Sequence, residues 1–249
     1  MSHHNIEVTI KPLGDAALIV QLGEGIHPSI HEKVRNLAIL LHNQPFKGFI
    51  ESVPAYNNLT IHYNPVIVYH SQQNTIKHDR TPATSFHKVS TYLHELVQQL
   101  GESSFSEDRL VSIPVLYGGE YGPDLEYVAQ YHGLSVEEVI QFHSAQECLV
   151  YMTGFAPGFP FMGGMDERIA TPRKETPRSA IAPGSVGIAG IQTGVYSLET
   201  PGGWQIIGRT PLDLFLPDSS PPTLLQSGDR IRFVPISVQE YADYREMKQ

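Results

Sequence analysis

Two hydrophobic rhythms run through this chain. In roughly the first hundred residues, short β-prone runs alternate with segments of helical period. Residues 6–10 alternate apolar and polar positions, and residues 16–22 are largely apolar; both predict strands. A helix is predicted from about Pro28, a residue suited to a first helical turn, with Ile30, Val34, Leu37, Ala38 and Leu41 on one face. Strands around 49–53 and 59–63 follow. A second helix is predicted over about 85–100, with Phe86, Val89, Leu93, Leu96, Val97 and Leu100 on one side and Gly101 as its stop. Residues 71–84 are polar, contain a proline and read as a loop. The order strand, strand, helix, strand, strand, helix predicts a small open sheet with helices on one face.

The rhythm then changes. A polar, acidic stretch at 102–108 marks a domain boundary, placed between residues 104 and 105. Residues 110–115 predict a strand. Gly122-Pro123-Asp124 opens a short helix carrying Leu125, Val128 and Ala129 and ending at Gly133. Ser135-Val136-Glu137-Glu138 is a capping box that opens another through Ile140. From Leu149 to Pro235 short β-prone runs, at 181–190, 195–198, 204–207 and 230–233, are separated by glycine and proline turns. That spacing predicts a closed or nearly closed barrel. The fold class is therefore α+β: an N-terminal open-sheet domain, 1–104, and a barrel domain, 105–249.

Composition adds limits. The 249 residues, 41% of them hydrophobic, supply enough apolar surface for ordered cores. The 21 glycines and 19 prolines concentrate in the second half, as a turn-rich barrel requires. A net charge of -9 disfavours nucleic acid and anionic membrane as partners. Between Pro123 and Glu147 there is no Lys or Arg, so the helix pair there lacks the cations of a DNA reader. The single cysteine, Cys148, rules out an internal disulfide framework, and the N-terminus has no signal-peptide pattern. The expectation is a cytoplasmic protein.

Candidate chemistry is sparse. His27 and His31 are four apart at a helix start but lack a third ligand, and read as exposed surface histidines. Cys148 lies in an apolar run and reads as a buried structural thiol. No Walker-type phosphate loop is present. The glycine-rich segment 184–190 has two equal readings: amides aimed at an anion, or glycines of a barrel corner. Arg173, Arg178 and Arg209 sit among prolines and glycines. They suit capture of carboxylate or phosphate, unless they are solvent-exposed or pair with Glu175, Glu199 or Asp213.

Five segments carry a family resemblance. They are Gly154-Phe155-Ala156-Pro157-Gly158-Phe159-Pro160-Phe161-Met162-Gly163-Gly164, the run from Gly184-Ser185 through Gln192-Thr193-Gly194-Val195-Tyr196, and Pro201-Gly202-Gly203-Trp204 with Ile207-Gly208-Arg209-Thr210-Pro211; Gly118–Leu125 and Gly228–Phe233 also fit. Together they resemble the family that takes in the 5-oxoprolinase B subunit, the Kip-type histidine-kinase inhibitor and allophanate hydrolase subunit 1, over essentially the whole chain.

The resemblance implies an N-terminal α+β domain and a C-terminal cyclophilin-like β-barrel. It implies an enzyme subunit, inactive by itself. Two partner chains, the A subunit plus a larger, carboxyltransferase-like C subunit, would join it to open 5-oxoproline to glutamate with ATP hydrolysis. ATP, with magnesium, is expected to be shared with those partners. The same domain pair is similar to the carboxyl-transfer part of urea carboxylases, but Glu246-Met247-Lys248 at the C-terminus lacks a carrier domain, so no biotin is expected on this chain. The alternative implied role is binding a sensor histidine kinase and blocking its autophosphorylation. A lactam is a poor electrophile, so such a site needs cations for phosphate and carboxylate and donors for an oxyanion. In that scheme Arg209, Gln192 and Thr193 are the catalytic candidates. Arg173, Arg178, Gly184, Ser185, Tyr196, Trp204, Pro157 and Phe159 are the substrate-binding candidates.

Overall fold

The computed structural model describes residues 8–71, 83–100 and 109–247. The chain divides into two compact units, Met1–Glu107 and Asp108–Gln249. The expected boundary at 104/105 and the helix stop at Gly101 lie outside the described residues, as do most of the loop expected at 71–84 and residues 6 and 7 of the first expected strand.

In the first unit, strands β1 (Thr9–Pro12), β2 (Ala17–Gln21), β3 (Phe49–Pro54) and β4 (Asn58–Tyr63) form one antiparallel sheet in the order β1-β2-β4-β3. Alternation along β2 and β4 buries Leu18, Val20, Leu59, Ile61 and Tyr63 on one face. Against them pack Val34, Leu37 and Leu41 of α1 (Pro28–Asn43) and Val89, Leu93 and Leu96 of α3 (Ser85–Gln98). Thr84 caps α3 by accepting the His87 amide. A short helix, α2 (Pro65–His70), is an addition to the expected elements. Asn64 caps it by accepting the amides of Val66 and Ile67, and Pro65 occupies its first turn.

One of the two helix-start histidines departs from expectation, and the other does not: His27 is exposed. His27 caps α1 by accepting the Ser29 amide. His31, expected on the surface, is 1% exposed. Three residues before Val34, it falls on the buried stripe of α1, and its Nδ1–H donates to the Ala55 carbonyl at 3.1 Å.

In the second unit seven strands close a barrel. They are β5 (Leu110–Tyr117), β6 (Cys148–Thr153), β7 (Pro160–Gly163), β9 (Ser185–Ala189), β10 (Gln192–Val195), β12 (Gln205–Arg209) and β13 (Arg230–Pro235). The order around the barrel is β10-β7-β6-β13-β5-β12-β9, closing on β10. Only β13 and β5 run parallel among these pairs; the others are antiparallel. The run expected as one strand at 181–190 divides in two, because Gly184 turns the chain with φ +83. Its first part belongs to β8 (Arg178–Ile181), which pairs with β11 (Thr200–Gly202) in a separate two-stranded ribbon.

The two-residue period sorts the barrel wall. Ile113, Val115, Val150, Met162, Val186, Ile188, Val195, Ile207, Ile231 and Phe233 form the interior core, joined by Leu125, Val128 and Ala129 of α4 (Leu125–His132) and Val139 of α5 (Val136–Ala145). The expected capping box of α5 is present, with Ser135 and Glu138 bonding each other's backbone. Cys148 belongs to the same core, and burial pushes its thiol up to about 12. Ile206 and Ala189, which alternate with the core residues Ile207 and Ile188, join Phe159, Tyr196, Trp204, Ile181 and Ala156 in a second, aromatic cluster on the outer face. A C-terminal helix, α6 (Val238–Glu246), is a further addition and has its own capping box from Ser237 and Glu240.

Candidate functional site

The outer aromatic cluster opens into a pocket of about 140 Å³. Its walls are Phe155, Phe159, Phe161, Tyr196 and Trp204; Pro201-Gly202-Gly203 supplies backbone, and Arg173 is its one charged residue. Phe159 is the hub. Its ring meets Tyr196 at 5.2 Å and 81°, Trp204 at 5.6 Å and 90°, and Phe155 at 5.6 Å and 75°. These are edge-to-face contacts, the arrangement that ring quadrupoles favour.

Glycines make room for this packing. A Cβ on Gly194 would lie 2.9 Å from the Trp204 ring and 3.2 Å from that of Phe159; one on Gly187 would lie 3.1 Å from Trp204 Cβ. A side chain on Gly202 would collide with the Tyr196 hydroxyl. The glycines therefore serve close ring-on-backbone approach.

The loop from Gly154 to Phe159 is tight. The Gly154 amide donates to Phe159 O, Ala156 to Gly154 O, and Phe159 to Ala156 O. This folding places Phe155 at φ +66, a left-handed conformation that costs a bulky residue about 1–2 kcal/mol. Phe155 is 67% exposed and stands at the pocket's edge. Pro157 is exposed on the same loop and does not line the pocket.

The arginines separate into three situations. Arg173 is exposed, with its guanidinium 6.0 Å from the Trp204 ring centroid. No carboxylate among the described residues pairs with it. Arg178 makes a two-pronged pair with Asp124, both bonds 2.8 Å, so its partner is none of the acids the sequence suggested. Lys174 reaches the same carboxylate at 3.1 Å, and the Ile206 amide donates to it at 2.7 Å. Burial pushes the Asp124 carboxyl up, but bonds from Arg178, Ile206 and Lys174 outweigh it and hold it below its ordinary value. Arg209 donates from Nε to Pro183 O at 2.8 Å and does not line the pocket.

Thr193 is fully buried inside the barrel. Its hydroxyl donates to Gly187 O at 3.1 Å and meets His143 Nε2 at 2.8 Å, while His143 Nδ1 meets the Tyr117 hydroxyl at 2.8 Å. Donor bookkeeping assigns the imidazole proton to Nε2, with Nδ1 accepting from Tyr117. Burial lowers His143 to about 3 and raises Tyr117 well above its usual value, so this hydrogen-bonded row is neutral. Gln192 opens β10 opposite Ala189. Of the two readings of the 184–190 segment, anion-facing amides find no support at three positions, which are occupied: Gly184 donates to Tyr196 O, Ser185 to Ala182 O, and Gly190 to Thr171 O.

The structure thus brings together Phe159, Arg173, Tyr196 and Trp204. It does not bring Arg209, Thr193, Gly184, Ser185, Pro157 or the Arg178 guanidinium to the pocket. Sequence reasoning missed Phe155 and Phe161 as walls and Asp124 as the junction of the arginine-bearing segment. The rings stood in a motif already singled out. Asp124 reads as a helix-opening residue, and nothing local points to partners 54 and 82 positions away. Among the described residues no group of three His, Cys, Asp or Glu could hold a metal ion, and no helix is long and apolar enough to cross a membrane.

Residues 8–225 match the family described as carboxyltransferase domain, subdomain C and D. The chain is 48% identical over 241 residues to the 5-oxoprolinase B subunit of Bacillus subtilis, covering 97% of this chain and 98% of the relative. Among solved structures, the protein TTHA0988 superposes with TM-score 0.73 at 31% identity over 92% of this chain, which spans 40% of that longer chain. The urea amidolyase of K. lactis, at 18% identity and TM-score 0.74, shares the fold over 99% of this chain, which spans 16% of that protein.

Proposed function

The chain belongs to the family of carboxyltransferase domains, subdomains C and D, and from that premise we propose that it forms part of an ATP-dependent 5-oxoprolinase. The reaction is the opening of 5-oxo-L-proline to L-glutamate, carried out together with the A and C subunits of that enzyme.

The observation that carries the reading is the unpaired Arg173 guanidinium beside a pocket with flat aromatic walls. 5-Oxoproline is a flat five-membered lactam bearing one carboxylate. Its ring fits between Phe159, Phe161 and Trp204, and its carboxylate pairs with Arg173. Phe155 covers the open side and excludes water from the lactam face. A relative of nearly equal length that bears the name of the 5-oxoprolinase B subunit supports the same substrate.

The pocket does not fit the nucleotide. About 140 Å³ with one cation lining it, and no metal-holding group of three His, Cys, Asp or Glu among the described residues, suits neither a triphosphate nor its magnesium. ATP is therefore assigned to the partner subunits, and no step through it is derived from this chain. What this chain does is bind the lactam, orient it through its carboxylate and shield it from solvent.

The test is 5-oxoproline-dependent release of glutamate and phosphate by this chain mixed with the A and C subunits. Release that needs all three chains, and drops at least tenfold with Arg173→Met, supports the reading. A competent mixture that turns over equally well without this chain overturns it.

A further inference from the structure

The segment from Arg173 to Arg178 carries three cations, Arg173, Lys174 and Arg178, with only the exposed Glu175 between them. It runs along the pocket. The Lys174 amide donates to Gly203 O at 2.7 Å, and Arg178 stands in register with Gly202. Both Arg173 and Arg178 act electrostatically on Tyr196, a pocket wall. Left unpaired, the three would make a strongly cationic rim suited to polyphosphates.

Asp124 prevents this. It is 5% exposed, and its oxygens take four bonds: Lys174 Nζ and Arg178 Nη2 on Oδ1, Arg178 Nη1 and the Ile206 amide on Oδ2. That fills a carboxylate's lone-pair sites. Two of the three cations are held by Asp124 and do not line the pocket, and the Ile206 bond fixes the carboxylate to the strand that begins one residue after Trp204.

We infer that Asp124 is a specificity-determining residue of the pocket: by holding Lys174 and Arg178 it leaves Arg173 as the cation open to a ligand, so that the site accepts a flat monocarboxylate and rejects polyphosphates. The inference rests on reading the pocket as the substrate site. It works by exclusion, which specificity commonly requires as much as attraction. A site that must take a small lactam acid in the presence of ATP gains from refusing phosphate chains.

Trp204 is the sole tryptophan of the chain and lines the pocket, so its fluorescence reports occupancy. The full chain is titrated with 5-oxoproline and with inorganic pyrophosphate. The native chain is expected to respond to 5-oxoproline and not to pyrophosphate. In Asp124→Asn, which keeps an acceptor for the Ile206 amide, the preference for 5-oxoproline over pyrophosphate falls at least about tenfold. Adding Lys174→Met to Asp124→Asn restores part of that preference, a recovery that simple damage to the fold would not produce.

An unchanged preference in Asp124→Asn, or a pyrophosphate response that Lys174→Met does not reduce, overturns the inference. Should Asp124→Asn fail to fold, Lys174→Met alone decides: a loss of 5-oxoproline affinity as large as that of Arg173→Met places Lys174 on the ligand and refutes the charge filter, whereas a loss under about threefold supports it. The two readings fail separately. A native chain indifferent to 5-oxoproline, with Asp124→Asn gaining pyrophosphate binding, sinks the substrate reading and leaves the charge filter standing.

Discussion

Gly194 faces Gly187 directly across the β9–β10 ladder, and Trp204 packs over the bare backbone of both. A side chain on Gly194 would press on the indole ring, and one on Gly187 on Trp204 Cβ and the Ile206 side chain. Gly194→Ala places a methyl 2.9 Å from the ring and 3.1 Å from the Pro160 carbonyl. The expected cost is about 1–3 kcal/mol, the usual range for overpacking. A thermal melt, read together with a shift in the emission of the sole tryptophan, checks it; unchanged emission would show that the ring does not rest on Gly194.

Arg173 and Arg178 look alike in sequence and differ in consequence. Arg173 is exposed and unpaired among the described residues, so Arg173→Met changes stability by less than about 0.5 kcal/mol while weakening 5-oxoproline binding at least about tenfold, the loss of one charge-assisted bond. Arg178→Met leaves buried Asp124 with Lys174 as its remaining cation, and the expected loss is about 2–4 kcal/mol of stability. Urea denaturation of both variants separates the two roles. Equal stability losses would contradict the assignment.

Phe155 gives an opposed pair of effects. Phe155→Gly relieves the left-handed backbone at φ +66 and removes a ring that is largely in solvent. The variant is expected to be equal or higher in stability, by up to about 1 kcal/mol, and weaker in ligand binding. Lower stability with intact binding would assign Phe155 to the fold and not to the pocket.

His143 makes stability pH-dependent in a definite direction. The unfolded chain protonates this imidazole near the ordinary histidine value of about 6.5, whereas in the fold it stays neutral down to about 3. Between those values the unfolded state binds the extra proton, so stability is fully present above the upper value and is lost as pH falls through the window. One proton corresponds to about 1.4 kcal/mol per pH unit. Replacing His143 by Gln should flatten the slope of stability against pH across this window by about one proton. An unchanged slope would mean that the native imidazole titrates normally.

Much of the fold was legible because it depends on local period. The stripe Val34, Leu37, Leu41 marked α1, and Ser135 with Glu138 marked the start of α5. Helices without a strong apolar stripe were missed: α2 is one capped turn and a half behind Asn64 and Pro65, and only Tyr241 of α6 is buried. The run at 181–190 looked continuous because β-propensity does not register the turn at Gly184.

The candidate site was legible only in part, and the division has a physical cause. Sequence alone determined which residue types were available: the rings and glycines of the motifs, three arginines in proline-rich surroundings, and a chain too acidic to favour phosphate backbones. It could not say which arginine is open, since that depends on a carboxylate 54 residues from Arg178 being brought within 2.8 Å. Nor could it place Thr193 inside the barrel and Gly194 outside it, because consecutive strand residues face opposite sides and only closure of the sheet decides which side is core. Residue chemistry belongs to the chain; which charge is neutralised and which face is enclosed are products of long-range packing, and only the tertiary structure decides them.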